Sequence, residues 1–281
     1  QPVANIAPTM ILCDDDNNGT MPFTLTNQDG FINTSAGMTI TYHPTQADAD
    51  TNVNPISSPF ESGTTIVYAR VENDLNPTSC YDTSSFDIEV YDSAFPLGAA
   101  SISSIENCDN TSVGTDTDGY ILFDLTQNET DILNGQASSD FTLTYFTDAT
   151  YTNLINTPSN YDNTGFSGGQ TIYVRMTNNL ESSCYADTEF EIEVFELPVL
   201  NTPPFVLEQC DDDFDGFNTF NLTEINTDIV TTINTEVFTY YESLADANVG
   251  NSPIPDPINY ANQIANVDNT VWVRIENDNG C

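Results

Sequence analysis

Residues 86–90 read Phe-Asp-Ile-Glu-Val, and residues 190–194 read Phe-Glu-Ile-Glu-Val. In both stretches apolar and acidic side chains alternate, which is the period of a β-strand with one face in a core and the other in solvent. Short strands of this kind, separated by turns rich in Gly, Pro and Asn, are typical of antiparallel β-sandwiches. The two stretches therefore predict an all-β fold, and their similarity predicts an internal repeat.

The landmarks around these strands recur in a constant order along the chain. Each set begins with a cysteine and an acidic run, continues with Phe-x-Leu-Thr, Thr-Tyr and Arg-x-x-Asn, and ends with a second cysteine. The first cysteines are Cys13, Cys108 and Cys210, the second ones are Cys80, Cys184 and Cys281, and the arginines are Arg70, Arg175 and Arg274. We therefore predict three tandem immunoglobulin-like (Ig-like) antiparallel β-sandwich modules with short helical turns, at residues 1–95, 96–198 and 199–281, the third of which stops before its last strand.

The charge of the chain excludes some classes of partner. Its 281 residues include 43 Asp and Glu but only three Lys and Arg, which gives a net charge of −40. The negative electrostatic field of such a chain repels nucleic acids and anionic membrane surfaces, and it attracts divalent cations. No apolar run approaches the ~18 residues that a membrane span needs, and no signal peptide is visible. We expect the chain, which opens at Gln1 and stops at Cys281, to be part of a longer protein.

The six cysteines predict disulfides rather than a metal site. They lack the short Cys-x-x-Cys spacing of zinc ligands, and they occur in an acidic chain without lysine, which favours disulfides made in an oxidising compartment. We expect one disulfide to close each module: Cys13–Cys80, Cys108–Cys184 and Cys210–Cys281. In the chain-entropy model, each would stabilise its module by roughly 4 kcal/mol.

The acidic runs after the first cysteines match the first half of a calcium loop. In such a loop alternate oxygen-bearing side chains converge on one cation, and a glycine permits the sharp turn between them. The candidate calcium ligands are Asp14, Asp16, Asn18 and Thr20 in the first module, Asp109, Asp116 and Asp118 in the second, and Asp211, Asp213, Asp215 and Phe217 in the third. The match is incomplete, because Leu25 and Leu222 stand where a bidentate Glu would complete the loop. The alternative is a solvated acidic turn.

The strand that carries each arginine also carries an aromatic residue two positions earlier, on the same face. The pairs are Tyr68 and Arg70, Tyr173 and Arg175, and Trp272 and Arg274. The opposite face is aliphatic, so we expect the aromatic and the arginine to point outward together. One interpretation is a stack in which the arginine also pairs with Glu89 or Glu193 of the neighbouring strand. The other is a surface that binds a glycan on each module.

Enzyme signatures are weak. Residues 165–169 read Gly-Phe-Ser-Gly-Gly and fit the G-x-S-x-G pattern of a serine nucleophile. Such a serine must lie on a turn between a strand and a helix, and it needs a histidine as its base. Here a strand follows, and His43, which is the only histidine, lies in another module. We therefore expect no catalytic site.

The combination of these motifs resembles the repeats of very long surface proteins of Bacteroidetes, especially flavobacteria. Those proteins are exported by the type IX secretion system and carry a type B sorting domain, and gliding-motility adhesins are among them. The resemblance implies an outer-membrane-anchored, extracellular repeat segment with a structural or adhesive role. Its partners would be an external surface or polysaccharide and the secretion and gliding machinery. The alternatives are a carbohydrate-binding array on the Tyr/Trp–Arg faces and a non-catalytic spacer of a secreted enzyme.

Overall fold

The computed structural model describes residues 1–77, 80–230, 235–265, 267 and 269–281. Its contacts divide the chain into two compact units. The first consists of Gln1–Ser103, Thr126–Pro158 and Thr171–Phe190, and the second of Ser104–Leu125, Ser159–Gln170 and Glu191–Cys281. The first unit thus holds the first repeat, the second unit holds the third repeat, and the second repeat contributes segments to both.

The first repeat is a sandwich of a four-stranded and a two-stranded sheet. Its strands are β1 (Met10–Asp14), β2 (Met21–Phe23), β3 (Met38–His43), β4 (Phe60–Ser62), β5 (Thr65–Asn73) and β6 (Tyr81–Asp92), and its helices are α1 (Asp29–Ile32), α2 (Gln46–Thr51) and a 3-10 turn at Leu25–Gln28. The larger sheet has the order β1-β6-β5-β3, and the smaller one pairs β2 with β4. Helix α2 begins where the Thr45 side chain accepts the Asp48 N–H, which satisfies one of the free donors of its first turn.

The core of this repeat lies between the two sheets. On β5 the alternate residues Val67, Ala69 and Val71 are fully buried, and on β6 Phe86 and Ile88 are 4% and 0% exposed. They pack with Phe23, Leu25 and Ile32 from the opposite side. The alternation that the sequence predicted is therefore present, because each strand turns its apolar residues to the core, and β6 turns the acidic Asp87 and Glu89 away from it.

The second repeat has the same plan. Its strands are β7 (Ile105–Cys108), β8 (Leu122–Phe123), β9 (Phe141–Phe146), β10 (Tyr161–Asp162), β11 (Gly169–Asn178) and β12 (Tyr185–Phe195), with helix α3 (Glu129–Ile132) and 3-10 turns at Ala99–Ser101, Leu125–Asn128 and Pro158–Asn160. The sheets have the orders β7-β12-β11-β9 and β10-β8.

The described part of the third repeat has fewer paired strands. They are β13 (Thr219–Phe220), β14 (Val237–Tyr241), β15 (Tyr260–Ala261) and β16 (Trp272–Glu276), with helices α4 (Asn226–Ile229) and α5 (Leu244–Val249) and a 3-10 turn at Leu222–Ile225. Over the described ranges β14 pairs with β16 and β13 with β15. None of the helices described in the chain is both long and apolar enough to cross a membrane.

The prediction of all-β, Ig-like sandwich modules with short helical turns is confirmed. The sheets are mainly antiparallel, as predicted, but each of the four-stranded sheets contains one parallel pair, which the sequence did not predict. Strand β1 runs parallel to β6, with Cys13 opposite Tyr91, and β7 runs parallel to β12, with Cys108 opposite Phe195. The reason is that the first strand of each of the first two repeats joins the outer edge of the last strand, and an alternating pattern does not specify the direction of an edge partner.

Candidate functional site: the junctions between repeats

The disulfides connect successive repeats. Cys13 bonds to Cys184 and Cys108 bonds to Cys281, each with a Cα–Cα distance of 5.5 Å. Each bond joins the first cysteine of one repeat to the second cysteine of the next, while Cys80 and Cys210 are free. The predicted pairs Cys13–Cys80, Cys108–Cys184 and Cys210–Cys281 are therefore wrong.

The geometry of the last strand explains this pairing. Cys13 lies opposite Tyr91, near the end of β6, whereas Cys80 directly precedes Tyr81, where β6 begins. At ~3.3 Å per residue, these two positions are separated by roughly 33 Å. A disulfide needs Cα atoms within about 7 Å. The two cysteines of one repeat therefore lie at opposite ends of the same sheet and cannot meet.

An asparagine reinforces each junction. The side-chain amide of Asn178 donates to the carbonyl of Asp92 at 2.9 Å, and that of Asn277 donates to the carbonyl of Glu196 at 2.7 Å. Both acceptors lie at the end of the last strand of the preceding repeat, beside the cysteine that forms the disulfide. These asparagines close the Arg-x-x-Asn motif, which the sequence marked as a landmark without assigning it this role.

The connector after the first repeat is also held in place. The Gln136 side chain accepts the Phe95 N–H at 2.6 Å and donates to the Ser93 carbonyl at 3.0 Å. Ala94, which is 5% exposed, packs in a cluster with Phe141. The connector is therefore part of a packed structure rather than a free linker.

Each acidic run forms a compact loop beside a junction cysteine. The aspartate that follows the cysteine accepts a hydrogen bond from the N–H of the loop glycine, which has positive φ in all three cases. These hydrogen bonds run from Gly19 to Asp14, from Gly119 to Asp109 at 2.7 Å, and from Gly216 to Asp211 at 2.8 Å. Asp109 thus occupies the position of Asp14, as the sequence suggested.

The loops differ in how many carboxylates they bring together. Among the described residues, two groups have oxygens within 4.8 Å of one another: Asp14, Asp15 and Asp16 in the first repeat, and Asp211, Asp213 and Asp215 in the third. The candidate ligand Asn18 is engaged, because its oxygen accepts the N–H and hydroxyl of Thr20. The described second-repeat loop forms no such group: Asp118 accepts the Thr115 N–H at 2.8 Å, and Asp116 is exposed.

The candidate ligands in the third repeat also stabilise their own loop. The Asp215 carboxylate accepts the N–H of Phe217 at 2.8 Å. Three carboxylates around one point suit a hard cation such as calcium. Calcium binding therefore stays a prediction for the first and third repeats, with Asp15 added to the ligands that the sequence suggested.

Hydrogen bonds keep the leading aspartates ionised. Burial raises the pKa of Asp14, but hydrogen bonds led by the Gly19 N–H outweigh this effect, so its pKa lies below the usual value. The Gly216 N–H likewise lowers the pKa of Asp211. A carboxylate with a lowered pKa stabilises the fold above the pKa of the unfolded chain, and this contribution is lost as the pH falls through the folded-state pKa. The loops are therefore expected to loosen only in acid.

The arginine of the first repeat is buried, which corrects the expectation that it points outward with Tyr68. Arg70 is 3% exposed and pairs with Glu72. It donates to the Ala49 carbonyl at 2.8 Å, and its guanidinium lies 3.6 Å from the Tyr81 ring centre. Arg70 is buried because helix α2 covers this face of β5 and the carbonyl of its Ala49 accepts a hydrogen bond from the guanidinium.

The other two arginines are partly exposed. Arg175 makes two hydrogen bonds to Asp187, at 2.8 and 2.9 Å, and lies over the rings of Tyr151 and Tyr185. Arg274 pairs with Glu276 at 2.6 Å. The expected ion-pair partners Glu89 and Glu193 are therefore wrong. Tyr173 packs edge-on against Tyr151, and Trp272 is 39% exposed. A glycan-binding role for these faces stays a prediction.

The weak enzyme signals fall on residues with structural contacts. The Ser167 hydroxyl donates to the Asp118 carbonyl at 2.8 Å, and strand β11 follows at Gly169. His43 is fully buried at the end of β3, where its ring nitrogens contact the Thr41 hydroxyl and the Val53 carbonyl. The expectation that the chain has no catalytic site stays a prediction.

Similar solved structures are remote. A three-Ig fragment of titin is 9% identical, with 98% of this chain and 95% of that chain covered and a TM-score of 0.37. A fragment of human mucin-like protocadherin is 11% identical (69% and 98% covered, TM-score 0.19). A SusE-like surface-located polysaccharide-binding protein of Bacteroides thetaiotaomicron is 12% identical (86% and 43% covered, TM-score 0.21). These scores support no inference about this chain. No curated protein matches it.

A family model does match. The model described as the Flavobacterium inter-domain disulphide bond domain matches residues 9–94, 104–198 and 206–281. These ranges cover most of the chain, and they separate the partners of each disulfide, since Cys13 and Cys184 fall in successive domains, as do Cys108 and Cys281. The chain is thus a series of three Ig-like repeats linked by disulfides between them, and it belongs to the Flavobacterium inter-domain disulphide bond domain family.

Proposed function

We propose that this chain is a tension-resisting repeat segment of an extracellular adhesin, in which disulfides lock each repeat to the next. The observation that carries the proposal is the identical construction of the two junctions. Each combines a disulfide with an asparagine that binds the end of the preceding repeat's last strand. Such junctions limit how far the repeats can separate even when the repeats themselves unfold.

The covalent connectivity gives this limit a size. The shortest covalent path from Gln1 to Cys281 follows residues 1–13, crosses the first disulfide, runs back from residue 184 to 108, and crosses the second disulfide. This path contains about 90 residues. At ~3.4 Å per extended residue, the oxidised chain reaches at most about 300 Å, against about 950 Å for the reduced chain.

The disulfides also oppose unfolding. They join residues 171 and 173 positions apart. In the chain-entropy model, a loop of this length removes roughly 5 kcal/mol of conformational entropy from the unfolded chain when each bond is considered alone. This stabilisation would offset the mutual repulsion of a chain with a net charge of −40.

The place and partners of the segment are part of the proposal. Disulfide-linked Ig-like repeats are typical of extracellular proteins. The resemblance to flavobacterial surface adhesins supports export by the type IX system, anchoring at the outer membrane, and a role in adhesion or gliding. The adhesive partner would be an external surface or polysaccharide. The partly exposed Trp272 is the first place to test for glycan binding.

Calcium would act on the same junctions. The side chain of Asn17, in the acidic loop of the first repeat, accepts the Ser93 N–H at 2.9 Å and donates to the Ser93 carbonyl at 3.3 Å. Ser93 begins the connector to the second repeat. A calcium ion bound in this loop would therefore stiffen the connector as well as the loop.

Stretching single molecules by their two ends tests whether the chain resists tension in this way. The oxidised chain is expected to extend to about 300 Å at full unfolding, and the reduced chain to about 950 Å. The variant Cys184→Ser/Cys281→Ser is expected to reach the long extension without reduction. The matched control Cys80→Ser/Cys210→Ser keeps both disulfides and the short extension. Equal extension of the oxidised and reduced chains would contradict the proposal.

A further inference from the structure

A short helix contacts the strand arginine in the first and third repeats. Carbonyls of α2 and α5 accept hydrogen bonds from Arg70 and Arg274, respectively. Both helices lie in a connection that is closed by a backbone hydrogen bond between a tyrosine and an isoleucine. The closing pairs are Tyr42 with Ile56, Tyr145 with Ile155 and Tyr240 with Ile254. The second connection, whose residues are all described, is four residues shorter and contains no helix, so no helix covers Arg175.

The exposure of Arg175 does not come from an incomplete sheet. Strand β11 lies between β9 and β12, and its inward residues Ile172, Val174 and Met176 are fully buried. On the outer face, the side chain of Arg175 is 30% exposed, against 3% for Arg70. The difference between the two repeats therefore lies above the sheet, in the shortened connection.

Aromatic side chains occupy the outer face where the helix is missing. The ring of Tyr151, from the shortened connection, packs edge-on against Phe146 and Tyr173, with 5.4 and 6.1 Å between ring centres. The guanidinium of Arg175 lies 4.6 Å from the ring centre of Tyr151 and 4.1 Å from that of Tyr185. Tyr185 is 48% exposed. We call Tyr151, Tyr173, Arg175 and Tyr185 the tyrosine face.

The backbone at Tyr151 is strained. Its φ is 55°, in the left-handed region that Gly, Asn and Asp enter far more readily than a bulky aromatic residue. In the helix-containing connection of the first repeat, the positions with positive φ are Asn52 and Asn54. An asparagine would make the turn at position 151 with less strain, so the presence of tyrosine indicates a role for its ring.

The polar groups of the tyrosine face suit a neutral ligand that carries hydroxyl groups. Arg175 donates from Nε and Nη2 to Asp187, so its charge is already paired, and no described residue accepts from its Nη1. The hydroxyls of the three tyrosines also have no hydrogen-bond partner among the described residues. Glu189, on the same face of β12 as Asp187, is exposed. Together with the net charge of −40, these carboxylates oppose an anionic ligand.

We propose that the tyrosine face binds a neutral, equatorially linked polysaccharide of the cellulose or chitin type. The sugar rings of such a chain form a flat ribbon with apolar C–H faces, and these faces stack on Tyr151 and Tyr185, since a tyrosine offers an apolar ring and a polar hydroxyl. The sugar hydroxyls accept hydrogen bonds from Nη1 of Arg175 and from the tyrosine hydroxyls. The inference rests on the adhesive part of the proposed function, which it deepens by placing a site on the second repeat.

Binding to insoluble polysaccharides tests the proposal on the full oxidised chain carrying Cys80→Ser and Cys210→Ser. Saturable binding to suspended microcrystalline cellulose or chitin is expected. It should persist in about 0.5 M NaCl, because the contact uses no net charge, and the anionic polysaccharide alginate should not bind. Lack of binding to both neutral polymers overturns the proposal. Binding that salt abolishes also overturns it and would identify a basic peptide as the type of partner.

Substitutions on the tyrosine face separate binding from stability. Tyr151→Asn removes a ring but suits the positive φ, so we expect binding to weaken about tenfold or more while the unfolding temperature changes by a few degrees at most. Tyr185→Ser should weaken binding similarly. The matched control is Tyr120→Ser, in the partly exposed residue after the loop glycine Gly119, and it should bind like the parent chain.

Two results of these substitutions would overturn the proposal. One is binding that survives both Tyr151→Asn and Tyr185→Ser. The other is a lowered unfolding temperature with unchanged binding, which would mean that the rings only cover Arg175. Neither result depends on the disulfides, so the stretching experiment can succeed or fail independently of this one.

Discussion

Arg70, Arg175 and Arg274 occupy the same strand position but are buried to different extents. Arg70 and Arg274 both pair with the glutamate two residues later and donate to carbonyls of a helix, whereas Arg175 pairs with Asp187 of the neighbouring strand. The sequence places each of them on the face of its strand opposite the aliphatic residues, and the structure agrees. Burial depends on what covers that face. Helix α2 covers Arg70, whereas the second repeat has a turn containing Tyr151 at the corresponding place, which leaves the side chain of Arg175 30% exposed. The alternating pattern of a strand does not show which helix or turn will pack over its outer face.

Replacing Arg70 is expected to be much more harmful than replacing Arg175. Arg70→Met leaves Glu72, which is 7% exposed, as a buried charge without its partner, and the expected loss is about 3–5 kcal/mol. Arg175→Met removes a partly exposed ion pair, worth at most about 1 kcal/mol, and ring contacts of similar size. Urea unfolding of the oxidised chain measures both changes. Equal losses would show that Arg70 is not held in a buried pair.

Calcium is expected to raise the unfolding temperature through the acidic loops. At 100 times the dissociation constant, one bound ion stabilises by about 2.7 kcal/mol, which corresponds to several degrees for a domain of this size. Asp16→Asn and Asp213→Asn should remove the shift while leaving the hydrogen bonds of Asp14 and Asp211 in place. Asp116→Asn is the control, since this exposed residue lies in neither of the two carboxylate clusters found among the described residues. Identical melting in EDTA and millimolar calcium would identify the runs as solvated turns.

At the scale of the element, the last strand determines which cysteines can meet. Strand β6 has 12 residues and β12 has 11, so the two cysteines of a repeat lie at opposite ends of a long sheet. The sequence predicted the alternation of these strands, and their buried residues confirm it. It did not predict that β1 and β7 add in parallel at the outer edge. That register carries Cys13 and Cys108 to the end where the next repeat begins.

Within the described residues strand β16 pairs with β14 alone, and it is therefore expected to be less stable than the equivalent strands β5 and β11, which are paired on both sides. Its backbone amides on the side away from β14 should exchange with solvent faster than those of β5 and β11. Hydrogen exchange resolved by residue in the isolated oxidised chain measures the difference. Equal protection of β5, β11 and β16 would mean that another part of the chain covers the edge.

At the scale of the whole molecule, the sequence predicts the repeats better than the connections between them. The spacing of Cys, Arg and the alternating strands was enough to identify three modules, and Asp109 was recognised as the counterpart of Asp14. Six cysteines allow many pairings, however, and sequence separation does not measure distance in space. The hydrogen bonds of Asn178 and Asn277 across the junctions were missed for the same reason, because their acceptors lie in a different repeat.

The scarcity of basic residues makes the central claim easy to test. Trypsin can cut this chain only after its three arginines, giving fragments 1–70, 71–175, 176–274 and 275–281. The oxidised protein is denatured without reduction, its free thiols are blocked, and it is then digested. Disulfides between successive repeats predict two linked pairs, 1–70 with 176–274 and 71–175 with 275–281, with Cys80 and Cys210 blocked. Disulfides within each repeat would instead join all four fragments into one species, and that result would contradict the account.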